Sequence, residues 1–316
     1  ALAIGTKLAD FTTGSWANFE NPNFKLVSVN TARYDTTKHL ATPVISDAKV
    51  GLQQISEALG EWRAPESWHQ RAIKERDEWD AYVKKQSGPT NQEEPSYAHA
   101  VGAVYRNSDP SDIVVTAAGG LVGEVVQVWK PRQLNTFETE WGFSCMGYEI
   151  SGALGIKMAK PDQDVVVFIG DGSYLLSNSD IYSSVLYGQK LIIIVCDNGG
   201  HMVINRLQLA KGGKEYICNL RAARATNLHF VDFENHAKSM GANAETVSST
   251  SELEAAFKRA KASDKTYVIS VKTHGYEWLE GTAFWESPTL QDPITEDNKK
   301  ALDDFETGKN KQRRGV

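Results

Sequence analysis

Val165-Val166-Val167-Phe168-Ile169-Gly170-Asp171-Gly172-Ser173 is the stretch on which the fold turns. An unbroken apolar run leads straight into a glycine. Runs of this length, bounded by turn residues, suit a parallel strand covered on both faces. The strand stops at Gly-Asp-Gly-Ser, and a helical pattern is expected from near Ser177. A second apolar run, Leu191 to Cys196, ends at Asp197-Asn198-Gly199-Gly200. Two adjacent strands therefore deliver an Asp and an Asn to the carboxyl edge of one sheet. That edge is where open α/β sheets bind ligands.

The residue types at these ends suit a hard cation and a phosphate. The Asp171 carboxylate, the Asn198 amide oxygen and a backbone carbonyl near Gly200 are oxygen ligands, the kind Mg²⁺ shares with water and phosphate. Gly170 and Gly172 let the backbone come close to a bulky anion. The helix start that follows offers free N–H groups and a positive dipole end. A lone Gly-Asp-Gly-Ser is as often an ordinary strand-to-helix turn. The pair is more specific, because Asp171 and Asn198 lie 27 positions apart, the length of one strand-helix-strand unit.

Composition narrows the classes further. The 316 residues are 41% hydrophobic and 23% charged, an ordinary globular balance with room for about two domains. Net charge is −6 and the basic residues cluster only in the short tail Lys309 to Arg314, so nucleic acid is not an expected partner. No apolar run approaches the roughly 20 residues that span a bilayer, so no membrane is expected either. Cys145, Cys196 and Cys218 show no metal-site spacing and read as reduced thiols of a cytoplasmic protein. Ala1-Leu2-Ala3-Ile4-Gly5-Thr6 reads as a strand already under way, with no initiator Met and no signal pattern. The expectation is a chain that starts inside a domain, as a fragment or as one half of a split enzyme.

Taken in order, residues 1–60 read as the end of an α/β domain. Strands are expected at Ala1 to Ile4 and Phe24 to Asn30, a polar loop at Asp10 to Trp16, and a helix at Asp47 to Leu59 capped by Ser46. Residues 61–94 read as a helical connector, with Glu66 to Gln86 helical after Pro65, docked through Trp62, Trp68 and Trp79. From 95 to 275 strand and helix alternate, which argues for a mostly parallel, doubly wound sheet. Helix Tyr97–Asn107 precedes strand Ile113–Ala117, and Ala118-Gly119-Gly120-Leu121-Val122-Gly123 then opens a helix. Gly119 and Gly120 make this turn a second candidate phosphate site. His201 to Arg224 has no clear period and reads as a mobile loop at the sheet edge. A short helix (Asn235 to Met240), a strand (Ala244 to Val247), a helix to Ala262 capped by Ser251, and a last strand (Tyr267 to Val271) follow. That strand ends at Thr273-His274-Gly275-Tyr276. Residues 276–316 form a tail whose Trp278, Phe284 and Trp285 would serve as a lid or as a structural cover.

The Gly-Asp-Gly and Asp-Asn pair resembles the signature of thiamine-diphosphate enzymes of the acetolactate-synthase and pyruvate-decarboxylase group. The resemblance implies thiamine diphosphate and Mg²⁺ as cofactors. It places Asp171, Asn198 and the Gly200 carbonyl on the cation, and Ser173, after Gly-Asp-Gly, on the diphosphate. It makes Met146, in Ser144-Cys145-Met146-Gly147, the bulky side chain that props the cofactor in a bent shape.

Longer strings are similar to one branch of that group. Asp10-Phe11-Thr12-Thr13-Gly14-Ser15-Trp16, Trp141-Gly142-Phe143-Ser144-Cys145-Met146-Gly147-Tyr148-Glu149 and Asp197-Asn198-Gly199-Gly200 resemble the trihydroxycyclohexanedione hydrolases of myo-inositol catabolism. The likeness covers nearly the whole chain. It implies a cyclic diketone substrate opened by hydrolytic carbon–carbon cleavage to 5-deoxyglucuronate. Proton transfer needs a positioned group: His201, directly after the metal loop, is the first candidate and His274 the second. Glu149 falls within a packed helix and is set aside. The family's catalytic Glu lies in an N-terminal pyrimidine-binding domain that this chain lacks. That domain is expected from the full-length protein or a partner chain, in a homodimer or homotetramer that builds each site between subunits.

Three rivals stay open. One is acetolactate-synthase-like or 2-oxoacid decarboxylase activity. Another is a cofactor-binding half that is inactive without its N-terminal partner. A nucleotide-binding protein unrelated to thiamine is the third, disfavoured because neither Gly-x-Gly-x-x-Gly nor Gly-Lys-Ser/Thr is present.

Overall fold

The computed structural model describes residues 1–140, 142–281 and 283–313. Trp141 of the quoted string and Arg314 of the basic tail lie outside the described residues. The chain divides into two compact units. One comprises residues 1–74, 210–213 and 280–316; the other comprises 75–209 and 214–279. Helix α4 (Glu66–Gln86) runs through the division at 74/75.

The first unit holds a three-stranded parallel sheet: β1 (Leu2–Ile4), β2 (Val27–Asn30) and β3 (Thr42–Ile45), in the order β1-β2-β3. Pro43 in β3 is tolerated because β3 is an edge strand. Helices α1 (Asp10–Thr13), α2 (Arg33–Thr37), α3 (Ala48–Leu59) and α13 (Glu296–Asn310) complete the unit. The expected loop at Asp10 to Trp16 instead begins with a helical turn. Gly14, left-handed at φ 57°, closes it by donating its N–H to the Asp10 carbonyl. The α3 cap is Asp47, not Ser46: its carboxylate accepts from the N–H groups of Lys49 and Val50 at 2.9 and 3.2 Å. Among the described residues Trp62, Trp68 and Trp79 are all exposed, so none of the three is buried against a neighbour as expected.

The second unit is a six-stranded parallel sheet. Its strands are β4 (Ile113–Thr116), β5 (Phe137–Thr139), β6 (Val165–Gly170), β7 (Ile192–Asp197), β8 (Asn243–Val247) and β9 (Tyr267–Lys272), in the order β5-β4-β6-β7-β9-β8. Every pairing is parallel. Val165 to Ile169 and Ile192 to Asp197 are buried throughout, as strands covered on both faces must be. Alternate residues feed two cores. On one face Val114, Val166, Phe168 and Ile194 pack with α5 (Tyr97–Asn107), α6 (Gly119–Val128) and α12 (Thr250–Ala262). On the other, Val115, Val167, Ile169 and Ile193 pack with α7 (Tyr148–Ala159), α8 (Asp171–Leu176), α9 (Ser179–Leu186) and α11 (Phe233–Ser239). The sheet is therefore doubly wound. From β4 the chain goes to one neighbour, β5, and then returns to the other, β6. The helices that follow β4 and β6 leave on opposite faces, so a crevice opens between the carboxyl ends of these two strands.

Several local expectations give way. The helix after β6 begins at Asp171 itself, not near Ser177, because Gly170 is extended and serves as N-cap. An acidic residue in the first turn suits the helix dipole. Residues expected to form part of a mobile loop after His201 instead make α10 (Met202–Ala210), whose Met202 and Asn205 are buried. Its apolar period is short and is masked by the glycines and lysines that follow. Ser249, not Ser251, caps α12 by accepting from the Glu252 N–H. The short strand β5 carried no sequence signal beyond Phe137.

Candidate active site

The crevice between β4 and β6 is a cavity of about 240 Å³. Every candidate residue named from the sequence lines it, His274 excepted. His274 sits at the end of β9, where its backbone N–H donates to the Pro95 carbonyl at 3.0 Å and its Nδ1 accepts from the Tyr276 N–H at 3.2 Å. The structure does not bring it to the cavity.

Three turns form the wall, and glycine is needed in each. Gly119 is left-handed at φ 80°, a conformation L side chains rarely adopt. A Cβ on Gly120 would lie 2.2 Å from the Trp278 ring, and one on Gly147, at φ 97°, would lie 2.4 Å from the Ser177 Cβ. A Cβ on Gly172 would meet the His201 imidazole at 2.6 Å. His201 thus lies over the Gly-Asp-Gly turn at the rim of the cavity, and is itself exposed. Gly119 and Ser173 sit in the first turns of α6 and α8, where backbone N–H groups lack intrahelical partners. Met146 lines the same space and is partly exposed.

The polar centre is Asp171 with Asn198. Asp171 is 6% exposed, and its Oδ2 accepts the Gly200 N–H at 2.7 Å. Burial first, and then the negative charge of Asp197, push the Asp171 carboxyl up to about 7, against the N–H groups of Gly200 and Gly172, which pull it down. A carboxylate held in this way gains from a cation beside it. Asp197 is engaged elsewhere: Lys272 forms an ion pair with Oδ2, and Oδ1 accepts the Gly199 N–H at 3.0 Å. Asn198 donates Nδ2–H to the Tyr97 hydroxyl at 2.6 Å, while its buried Oδ1 has no hydrogen-bond partner. An amide oxygen buried without a donor is costly unless something electropositive meets it. Among the described residues no three His, Cys, Asp or Glu side chains gather to hold a metal. The donor set therefore fits a hard cation that takes one carboxylate, one amide oxygen and backbone or phosphate oxygens. It does not suit a softer metal that wants imidazole or thiolate.

Two buried residues at the site escaped the reading of the sequence. Tyr97 lines the cavity and touches Asn198 across 101 residues of chain. Glu149, set aside as a packing residue, accepts from the Gly147 N–H at 2.8 Å and the Ala118 N–H at 3.2 Å. It thereby ties the Met146 turn to the Gly119 turn. Only the position of Glu149 in the first turn of α7, where a carboxylate meets free N–H groups, hinted at this.

Residues 117–271 match the family model of the thiamine pyrophosphate enzyme, C-terminal TPP binding domain. The residues that line the crevice, Tyr97 excepted, lie within the matched segment. Similar proteins are named 3D-(3,5/4)-trihydroxycyclohexane-1,2-dione hydrolase. That of Lacticaseibacillus casei is 31% identical over 97% of this chain and 51% of its own length. That of Listeria innocua is 33% identical over 90% and 48%. The chain thus spans about half the length of the curated relatives it matches. Among solved structures, the Rhodococcus jostii RHA1 thiamine diphosphate-dependent 4-hydroxybenzoylformate decarboxylase superposes with a TM-score of 0.62. It covers 80% of this chain and 44% of that one at 16% identity, a likeness of fold. The expected α/β parallel-sheet fold and the expected resemblance both hold. Among the described residues no helix is long and apolar enough to cross a membrane.

Proposed function

We propose that this chain is the thiamine-diphosphate- and Mg²⁺-binding half of a hydrolase that opens a cyclic vicinal diketone of the trihydroxycyclohexane-1,2-dione class. The carrying observation is the pairing of a buried Asp171 carboxylate with the partnerless Asn198 Oδ1 at the mouth of the parallel-sheet crevice. The substrate class is suggested by the names of the relatives.

In this reading Asp171, Asn198 and the Gly200 carbonyl hold the cation. Gly119, Gly120, Gly170, Gly172 and Ser173 admit the diphosphate, and Met146 props the cofactor. Thiamine diphosphate supplies a nucleophilic carbon and an electron sink for cleavage of the bond between the two carbonyls. His201, at the rim over Gly172, is placed to move protons to and from substrate oxygens. His274, outside the cavity lining, has a weaker claim. The carboxylate that activates the cofactor would come from an N-terminal pyrimidine-binding domain, in a cytoplasmic homodimer or homotetramer.

The test is a calorimetric titration of the chain with thiamine diphosphate, with and without Mg²⁺, beside an Asp171→Ala variant. Binding that requires both Mg²⁺ and Asp171 is expected. Equal binding without either would remove the cation from the assignment. For the substrate, product analysis with the N-terminal domain present is expected to show ring opening of the dione and no acetolactate or carbon dioxide from pyruvate.

A further inference from the structure

An asparagine makes a good cation ligand only if its amide is turned the right way. The oxygen and the NH₂ group are nearly the same shape, and a half-turn of the amide exchanges them. With the oxygen forward, a cation gains a ligand; with the nitrogen forward, it meets two N–H dipoles. Asn198 directly follows β7, and the side chain that engages its amide is Tyr97.

The Tyr97 hydroxyl oxygen lies 2.6 Å from Asn198 Nδ2 and accepts its hydrogen bond. That contact uses the nitrogen end and leaves Oδ1, buried and unpartnered, as the end still on offer. Asn198 is 5% exposed and Tyr97 is 5% exposed, so water has little access to compete for either. Tyr97 is itself firmly held. It is the first residue of α5, whose start is fixed by a capping box between Ser96 and His99. Its ring meets the Trp278 ring edge-on, with centroids 5.5 Å apart at 86°. Its hydroxyl lies 3.9 Å from the point a Cβ on Gly170 would occupy, ordinary contact distance, so the phenol packs against the turn before Asp171.

We infer that Tyr97 is a positioning residue for the cation site: its hydroxyl locks the Asn198 amide so that Oδ1, and not Nδ2, is presented to the divalent cation. This rests on the cation reading of the site given above.

The test is a double-mutant cycle read by Mg²⁺ affinity, in the presence of saturating thiamine diphosphate, together with an NMR signature that needs no ligand. Tyr97→Phe keeps the ring and its Trp278 contact and removes only the hydroxyl. It is expected to weaken Mg²⁺ binding about tenfold, as loss of one buried orienting hydrogen bond would. In an Asn198→Asp background both ends of the side chain are oxygens, so its orientation no longer matters. There Tyr97→Phe should change Mg²⁺ affinity by less than about twofold. A residue with a merely structural role would impose the same penalty in both backgrounds, and that result would overturn the inference. So would Mg²⁺ binding by Tyr97→Phe equal to wild type.

The second readout uses the wild-type chain without Mg²⁺. Selective ¹⁵N labelling of asparagine should show the two Asn198 side-chain amide protons well separated, with one of them shifted by its hydrogen bond. A pair with free-amide shifts in the wild type would exclude the lock even if Tyr97→Phe failed to fold. If the wild type shows the locked amide yet binds no Mg²⁺, both the cation reading and the positioning role fail. If it binds Mg²⁺ through Asp171 but shows no lock, only the inference about Tyr97 fails.

Discussion

Glu124 is a carboxylic acid in an apolar helix, 3% exposed, with both oxygens turned to the Leu279 N–H at 3.1 and 3.3 Å. Burial raises its carboxyl from 4.5 to about 7, against the smaller opposing pulls of that N–H and of Arg206. The sign of the pH effect follows. The folded state keeps a proton that the unfolded state has lost between pH 4.5 and about 7. Stability from this group is therefore fully present below pH 4.5 and is lost as pH rises towards 7. Glu124→Gln keeps an acceptor for Leu279 and removes the buried charge. We predict little change in urea midpoint at pH 5 and a stabilisation of about 1–3 kcal/mol at pH 8. An effect of the same size at both values would mean that the charge is not what burial penalises here. No local pattern marks Glu124 as buried. The same is true of Tyr97, whose partner lies 101 residues away, whereas the placing of Asp171 and Asn198 at the ends of two apolar strands was legible from spacing alone.

At the scale of elements, the strands β6 and β7 were legible because continuous apolar runs have few other uses in a globular chain. Their ends placed Asp171 and Asn198 correctly at one crevice. Helix starts were less legible, since several Ser, Asp and Gly residues compete for each cap and only the backbone geometry chooses. This is why Asp47 displaced Ser46 and Ser249 displaced Ser251. The same ambiguity hid the part played by Glu149. α6 and α7 begin at separate glycine turns, and the Glu149 carboxylate accepts one N–H from each, those of Ala118 and Gly147. Glu149→Ala would leave both N–H groups without that partner, in a site where Glu149 itself is 1% exposed. We predict a loss of about 2–4 kcal/mol in unfolding free energy, read from the urea midpoint at unchanged slope. Cofactor affinity should fall as well, because the Met146 and Gly119 turns lose their common tie. A variant as stable as wild type would show that water or rearranged backbone satisfies these groups and that the carboxylate clamps nothing.

For the molecule as a whole, length sets the argument. The chain covers 51% of the Lacticaseibacillus casei relative and 48% of the Listeria innocua one, while those alignments take in 97% and 90% of this chain. The crevice brings together the Asp171 carboxylate, the Asn198 amide, two helix starts and a rim histidine. Among the described residues that line it, Asp171 is the one carboxylate. If Asp171 serves the cation, the lining keeps no carboxylate to exchange a proton with the cofactor's aminopyrimidine ring, which the resemblance assigns to another domain. Binding and turnover should then separate. The chain alone is expected to bind thiamine diphosphate with Mg²⁺ and to show ring-opening activity at least a hundredfold below that of a mixture with an N-terminal half, the size of a lost acid–base contribution. Activity in the mixture should rise with the concentration of the added half and saturate, since a site shared between chains obeys mass action. A Glu→Gln change at the activating position of the added half should abolish the gain while leaving cofactor binding by this chain in place. Full turnover by the chain alone would refute the division of labour, and would direct the search for the activating carboxylate to Glu149, the buried acid already lodged between the two cofactor turns.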